Sequence, residues 1–474
     1  MSTETKTHAT ANFQWECQPT AAAIVQTLVD NFCAESPAAQ QLKERLLRET
    51  GTRLADWVDH IAIGEQLDTA ALAEAGFTFG EIEGVPVAEH AGGMFPSLRL
   101  DGTRFGLGIK TESVGDFLTA NSLKDTPVHG APWSRLRSAR IASDGDTALW
   151  VVERHGYRGF TPRDPSANEV AANLHHEEAF RCRRRRFDHD ADSFDHAMTL
   201  AAAAVADLGV DRACDLFFSA ERDYWMSRNR AGRLQRARQD TLGLGWGNHD
   251  HHTYRSSREH FHRLIELMET LGVTCRERFY AGIEAGWGAQ VMEQPACKIM
   301  VFADVDLSPE EVTGDFAHGP LPTWSRPPRR TRNPNLGETR PRDLGTVGLW
   351  CALHGEAVLQ AGMHHLEAQF DFAGAREQLE SEGIKSMDPF TDFPFLRQSF
   401  TQGEIWPVEP QRLAAALAGG YITEREAAQF ATRGAIGSHL EVLERNEGYK
   451  GFNQTGISQI IRRTDPRTHA AAGA

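Results

Sequence analysis

Cysteine is sparse in this sequence and forms no pattern that would build a disulfide framework or a structural zinc site. The 7 cysteines are odd in number and scattered along 474 residues, and no two of them are spaced as CxxC. Small disulfide-rich folds and zinc ribbons both need clustered cysteines. The sequence therefore indicates free thiols, and none of them has neighbours that suggest a nucleophile.

Long apolar runs, a signal-type leader and an excess of positive charge are also lacking. No stretch approaches the ~18–20 apolar residues that a membrane span needs, and the first residues have no apolar core of a signal peptide. We expect a cytoplasmic protein that makes no membrane contact. The formal net charge of −15 argues against a general nucleic-acid binder, and the absence of GxxxxGK[ST] argues against a nucleotide cofactor.

What the sequence does contain is a recurring order of strand-like and helix-like segments. Residues 20–50 have apolar residues at helical spacing, and 57–63 then alternate like a strand. A short helix at 67–75 and strand-like runs at 77–83 and 96–100 follow. This order predicts one βαβββ unit behind a helical lead-in.

The same order returns twice later in the chain. Residues 251–255 are strand-like and precede a helix with an apolar stripe, and strand candidates follow at 275–281, 286–293 and 298–306. A further copy begins at 363–370, continues with a helix at 373–382 and strands near 395–400 and 404–408, and closes at 439–443. Residues 153–160 and 444–452 also resemble each other, which indicates related unit ends.

These patterns predict an α+β fold in which repeated βαβββ modules form a metal-holding cup, with added helical segments. The expected domains are a helical lead-in at 1–56, a first module at 57–160, a helical insertion at 161–245, a second module at 246–320, a linker at 321–342 and a C-terminal module at 343–474.

Histidines in strand-like segments are the strongest chemical signal. Imidazole is a common ligand of transition metals, and two histidines with one carboxylate leave metal positions open for substrate. His60, in the segment DHIAI, is the first candidate ligand. The run 248–255 supplies the second, because alternation places His249 and His251 on one face and His252 on the other, and the module alignment favours His251.

The carboxylate of such a triad has several candidates. Asp304 lies on the last strand of the second module, Glu441 lies on that of the C-terminal module, and Glu293 ends a neighbouring strand. If the second and C-terminal modules pair with each other, the triad becomes His251, His365 and Glu441. The sequence leaves these choices open.

Several segments together resemble the 2-oxoadipate dioxygenase/decarboxylase (hydroxyglutarate synthase) family of the vicinal-oxygen-chelate superfamily. They are DHIAI at 59–63, FTFGEIEGVPV at 77–87, FPSLRL at 95–100 and HHTYR at 251–255. The resemblance implies that His60 and His251 bind iron(II) together with an acid, which falls on Asp304 or Glu441. Glu441 is the preferred carboxylate ligand, because its segment, with the GYKGF that follows, is similar to the ligand strand of 4-hydroxyphenylpyruvate dioxygenase.

The chain departs from this family at one position that matters for the substrate. The family tends to place an arginine four residues after its first histidine to bind the substrate carboxylate, and here that residue is Gly64. Arg255, four residues after His251, could supply such a carboxylate clamp by bidentate hydrogen bonding.

The function expected from these observations is that of a non-haem iron(II)-dependent dioxygenase or decarboxylase. It would act on a small 2-oxo or hydroxy acid together with dioxygen, and Mn, Zn and Ni are the alternative metals. A metal-dependent isomerase or lyase on the same scaffold and a metal-free small-molecule binding protein are the alternatives. The sequence is compatible with a homo-oligomer.

Overall fold

The computed structural model describes most of the chain, and for residues 364–368 it describes the backbone alone. The described residues are 14–63, 68–102, 104–246, 250–283, 285–322, 344–359, 364–453 and 465–466. Gly64, His249 and nearly all of the predicted linker at 321–342 lie outside them. The fold is a mixed α+β arrangement of two large sheets and surrounding helices.

Two helices lead into the first sheet, as the spacing of apolar residues predicts. They are α1 (Pro19–Glu35) and α2 (Pro37–Thr50), and each begins with a proline at its first turn. Helix α2 ends at Gly51, whose φ of +64° is accessible to glycine at little cost. A Cβ at this glycine would lie 2.8 Å from the Cα of Ala375, so the close approach of α2 to the later chain also requires glycine.

The first sheet contains the order strand, helix and three strands twice within residues 58–154. The elements are β1 (Val58–Ala62), α3 (Thr69–Glu74), β2 (Thr78–Ile82), β3 (Val85–Glu89), β4 (Ser97–Arg99), β5 (Phe105–Lys110), α4 (Val114–Ala120), β6 (Val128–His129), β7 (Leu136–Asp144) and β8 (Thr147–Arg154). Their order in the sheet is β2-β3-β4-β1-β5-β8-β7-β6. The two opening strands, β1 and β5, pair antiparallel at its centre.

Four helices connect the two sheets, in agreement with the helical pattern of the sequence between 160 and 245. They are α5 (Ala167–Arg181), α6 (Asp190–Leu208), α7 (Val210–Ser227) and α8 (Arg230–Thr241). Ser166 and Glu169 form a capping box at the start of α5, in which each side chain accepts a backbone N–H of the other residue. No helix among the described residues is long and apolar enough to cross a membrane.

The second sheet follows the same layout with additional helices. Its elements are β9 (Asp250–Arg255), α9 (Phe261–Thr270), β10 (Thr274–Tyr280), β11 (Trp287–Gln294), β12 (Ile299–Asp306), α10 (Thr346–His354), β13 (His364–Gln369), α11 (Phe372–Ser381), β14 (Thr391–Phe393), β15 (Leu396–Phe400), β16 (Glu404–Trp406), α12 (Pro410–Ala418), α13 (Glu424–Arg433) and β17 (Ala435–Arg445). The order is β10-β11-β12-β9-β13-β17-β15-β14, and β16 pairs with β17.

The second sheet is buried on both faces, and the two faces carry different residues. Tyr254, Val301 and Ala303 pack against α6, α7 and α9 in one apolar core. The opposite face, called the inner face below, carries His251, Thr253 and Arg255 of β9. Met300 and Phe400 lie on this inner face with Val347 and Cys351 of α10. Because side chains alternate along a strand, this division follows directly from the register.

Candidate metal centre and the adjoining cleft

His251 and Glu441 lie in one row across the inner face of the second sheet. His251 pairs in register with Glu367 of β13, and Glu367 pairs with Glu441 of β17. One strand separates the two residues, which places their Cα atoms roughly 10 Å apart. Both are buried, with exposed fractions of 1% for His251 and 4% for Glu441. The pairing thus brings a buried imidazole and a buried carboxylate to one side of one sheet.

The backbone of His365 occupies the neighbouring row. It pairs with Thr253 of β9 and with His439 of β17, two positions from Glu367 along β13. Residues two apart on a strand share a face, so position 365 belongs to the inner face. The side chain of His365 lies outside the described part of the structure.

The carboxylate of Glu441 has a partner that fixes its orientation. The Nε2 of Gln398 on β15 donates a hydrogen bond of 2.9 Å to Oε1 of Glu441. Carboxylates that bind metals are commonly hydrogen-bonded in this way by a second residue. Gln398 was not predicted from the sequence, because its spacing to Glu441 has no local signature.

His439 is a second inner-face residue that the sequence analysis did not assign. Its Nδ1 lies 2.7 Å from the backbone carbonyl oxygen of Thr401. A carbonyl can only accept, so Nδ1 carries the proton and Nε2 of the neutral ring is an acceptor. The alternation of His439 and Glu441 along β17 is the signal that could have identified it.

His60 lies in the first sheet, inside a chain of charged groups. The Nδ1 of His60 lies 2.7 Å from Oδ2 of Asp59, and the Nε of Arg154 donates to Oδ1 of Asp59 over 2.6 Å. The register between β1 and β5 shifts at Asp59, which lets two consecutive residues interact. Burial lowers the pKa of His60, and the hydrogen bond to Asp59 opposes this shift.

Asp304 and Arg255 face each other in register on the inner face. Their Nε and Oδ2 atoms are 3.3 Å apart, and each residue is 1% exposed. The guanidinium of Arg255 also lies over the ring of Trp350, 3.5 Å from its centroid. Burial lowers the pKa of Arg255 to about 10, and the charge of Asp304 opposes this effect. Asp304 is therefore the counter-ion of a buried arginine.

Glu293, the third carboxylate candidate, lies at the end of β11 and is partly exposed. Its Oε2 is 3.1 Å from Nζ of Lys450 and 3.6 Å from an η nitrogen of Arg276. These two contacts form an ion-pair cluster at the rim of a cleft. The carboxylate of Glu293 is thus paired with two basic side chains from neighbouring segments.

The cleft has a volume of about 810 Å³ and is lined by residues of both sheets. The second sheet contributes residues at one end of its strands, including His251, Gln369 and Arg445. Arg255 lies four residues along β9 from His251, or roughly 13 Å further from the cleft. The cleft therefore opens onto the His251 end of the inner face, away from the buried ion pair.

Two lysines lie in this cleft among carboxylates. Burial lowers the pKa of Lys110, and the charges of Asp250 and Asp59 oppose the shift. Lys298, in the turn before β12, is reached by water but surrounded by the cleft walls, and desolvation lowers its pKa as well. Both lysines are closer to losing their charge than an ordinary lysine.

The side chains of the predicted metal ligands do not form a complete group within the described part of the chain. Among the described side chains, the single set of three ligand atoms within 4.8 Å of one another comes from Glu269, Cys275 and His318. His60 and His251 belong to different sheets.

Comparisons with known proteins give distant similarities. No protein-family model and no curated protein matches this chain. Among solved structures, a proposed hydrolase from Shewanella frigidimarina NCIMB 400 is 14% identical with a TM-score of 0.33, over 51% of this chain and 98% of the other. A mutant 4-hydroxymandelate synthase from Streptomyces coelicolor is 12% identical with a TM-score of 0.27, and the match covers 73% of this chain and 93% of the other. An uncharacterised Shigella flexneri protein that includes domain DUF1338 is 10% identical with a TM-score of 0.23, and the match covers 54% of this chain and 72% of the other.

Proposed function

We propose that this chain is a non-haem iron(II)-dependent dioxygenase or decarboxylase that acts on a small 2-oxo or hydroxy acid. In this proposal His251, His365 and Glu441 bind the metal. The observation that supports it best is the pairing of β9 with β13 and of β13 with β17, which aligns these three positions on the inner face. His60, in the other sheet, is not a ligand in this proposal.

The residues present fit such a metal. A set of two imidazoles and one carboxylate is typical of non-haem iron(II) sites with open positions. When bound, iron(II) would supply the redox chemistry with dioxygen, and the protein supplies orientation and electrostatics.

The side chains around this site can orient the ligands and exclude water. Gln398 holds the carboxylate of Glu441. The ring of Phe452 lies 6.2 Å from that of His251 and 4.3 Å from that of Phe302, measured between centroids. These apolar rings beside His251 lower the local polarity and thereby strengthen electrostatic interactions there.

Binding of an acid substrate is assigned to cations of the cleft in this proposal. Lys110, Lys298 and Arg445 line the cleft that ends at His251. Arg255 already faces Asp304 at the far end of β9 and serves as part of a buried ion pair. The cleft cations are therefore better positioned than Arg255 to attract the substrate carboxylate.

Gln398→Leu is expected to lower the affinity for iron(II) by about 10–100-fold, because it removes the hydrogen bond that orients Glu441. Anaerobic titration with iron(II) measures the change. Gln402→Leu, at an exposed glutamine close to the same strand, is the matched control. Equal affinities in the two variants would contradict the role of Gln398 in orienting a metal-binding Glu441.

Lys298→Met is expected to raise KM for acid substrates by about tenfold with little change in kcat, because it removes a cation that binds substrate before and during the reaction. For the wild type, KM is expected to rise with pH, since the lysines lose their charge as pH increases. Because the pKa of both lysines is lowered, KM should start to rise at a pH below the ordinary lysine pKa of about 10.4. Lys385→Met, at an exposed lysine outside the cleft, is the control, and an unchanged KM in Lys298→Met would contradict the assignment.

Oxygen uptake by the anaerobically iron-loaded protein with a panel of 2-oxo and hydroxy acids tests the proposed function. Substrate-dependent uptake supports the dioxygenase. Conversion of substrate without oxygen uptake supports the isomerase or lyase, in which the metal acts as a Lewis acid. Binding of an acid without bound metal and without conversion supports the binding protein.

A further inference from the structure

A second group of metal-ligand side chains meets on the opposite side of the second sheet. Glu269 lies in the last turn of α9, Cys275 lies on β10, and His318 lies in the segment that follows β12. Their ligand atoms all lie within 4.8 Å of one another. We propose that these three residues bind a zinc ion, with water as the fourth ligand.

The combination of one thiolate, one imidazole and one carboxylate favours zinc over other metals. Zinc binds thiolate at about 2.3 Å and imidazole or carboxylate at about 2.0–2.2 Å in a tetrahedron, so its ligand atoms lie roughly 3.3–3.8 Å apart. The Nε2 of His318 and Oε1 of Glu269 are 3.2 Å apart, close to this range, and both lie within 4.8 Å of the sulfur of Cys275. A thiolate ligand disfavours magnesium and calcium, which prefer oxygen.

The orientation of the His318 ring gives independent support for a zinc site. Both carboxylate oxygens of Asp315 contact Nδ1 of His318, at 3.0 and 2.9 Å. Asp315 also accepts the backbone N–H groups of Ala317 and His318, which fixes the turn. A carboxylate that holds one ring nitrogen while the other binds the ion is the usual surrounding of a zinc-bound histidine.

A simpler explanation is a hydrogen-bonded bridge in which His318 joins the carboxylates of Glu269 and Asp315. The sulfur of Cys275 lies within 4.8 Å of the ligand atoms of both His318 and Glu269, and the zinc site uses all three residues together. The zinc site would also have a structural use, because β10 is an edge strand of the second sheet. The ion would join the 315–318 segment to α9 and to this edge. This inference does not depend on the proposed function.

The site can be tested with cobalt(II), which reports a thiolate ligand by a charge-transfer band in the near ultraviolet. Full-length protein, stripped of metal and titrated with cobalt(II), is expected to develop this band, and zinc is expected to remove it. Cys275→Ser should abolish the band. Cys297→Ser, at another partly buried cysteine, and Glu441→Gln, at the other centre, should retain it.

A second measurement keeps the inference testable in the wild type. Zinc is expected to slow alkylation of Cys275 at least tenfold, as measured by peptide mass spectrometry, while the exposed Cys182 reacts at an unchanged rate. Asp315→Asn is expected to weaken zinc binding by about 10–100-fold. The inference is overturned if wild-type protein gives no cobalt–thiolate band, if the band persists in Cys275→Ser, or if zinc leaves the alkylation of Cys275 unchanged.

Discussion

Glu441→Gln is expected to lower substrate-dependent oxygen uptake by more than about 100-fold. Loss of an outer partner of a metal ligand already costs about 10–100-fold, and this substitution removes a direct ligand in the proposed site. Glutamine keeps the size of the side chain and an oxygen that can accept the hydrogen bond from Gln398, so the fold should be preserved. Oxygen-electrode assays at saturating iron(II) measure the effect.

Glu293→Gln is the matched control for this prediction. Glu293 also lies on a strand of the second sheet, but it lines the cleft and has Lys450 and Arg276 as partners. We expect the control to retain most of the oxygen uptake. Full activity in Glu441→Gln, or a comparable loss in Glu293→Gln, would assign the carboxylate ligand elsewhere.

Asp304→Asn is expected to destabilise the protein by about 3–5 kcal/mol, because it leaves the charge of Arg255 buried without its counter-ion. The two side chains are almost completely buried, at 0% and 2% exposure, so solvent does not screen their interaction. Chemical denaturation followed by circular dichroism measures the change in the free energy of unfolding. This prediction treats Asp304 as a structural residue and not as a metal ligand.

The double substitution Arg255→Met with Asp304→Leu separates these two roles. Replacement of a buried ion pair by apolar residues of similar size is often neutral or stabilising, so the double variant should recover most of the lost stability. It should also retain iron(II). Loss of iron from the double variant, with a stable fold, would show that Asp304 binds the metal.

Elements with a strong local pattern could be predicted from the sequence. The stripe of Phe261, Leu264, Ile265 and Met268 forms the buried side of α9, and β9 and β17 occur where alternation indicates strands. These elements are governed by spacing along the chain, since burial on one side of a helix requires apolar residues every three or four positions. Residues 58–154 contain the strand and helix order twice, where the sequence pattern indicated it once.

The candidate metal ligands could not be ranked from the sequence, because the ranking depends on which strands pair. His60 and His251 open similar segments, yet β1 pairs with β5 while β9 pairs with β13. Asp304 and Glu441 both lie on the last strand of a predicted module, and only the register shows that Asp304 lies opposite Arg255. Local patterns do not encode such non-local pairings. The grouping of Cys275 with His318 has the same origin, and the scattered cysteines gave no sign of it.

Iron content of anaerobically reconstituted protein tests the central proposal most directly. Plasma mass spectrometry would compare wild type with His251→Ala, His365→Ala, Glu441→Gln and His60→Ala. The proposal predicts about one iron per chain in the wild type and in His60→Ala, and loss of iron in the other three variants. Loss of iron in His60→Ala with retention in His365→Ala, or no bound iron in the wild type, would contradict it.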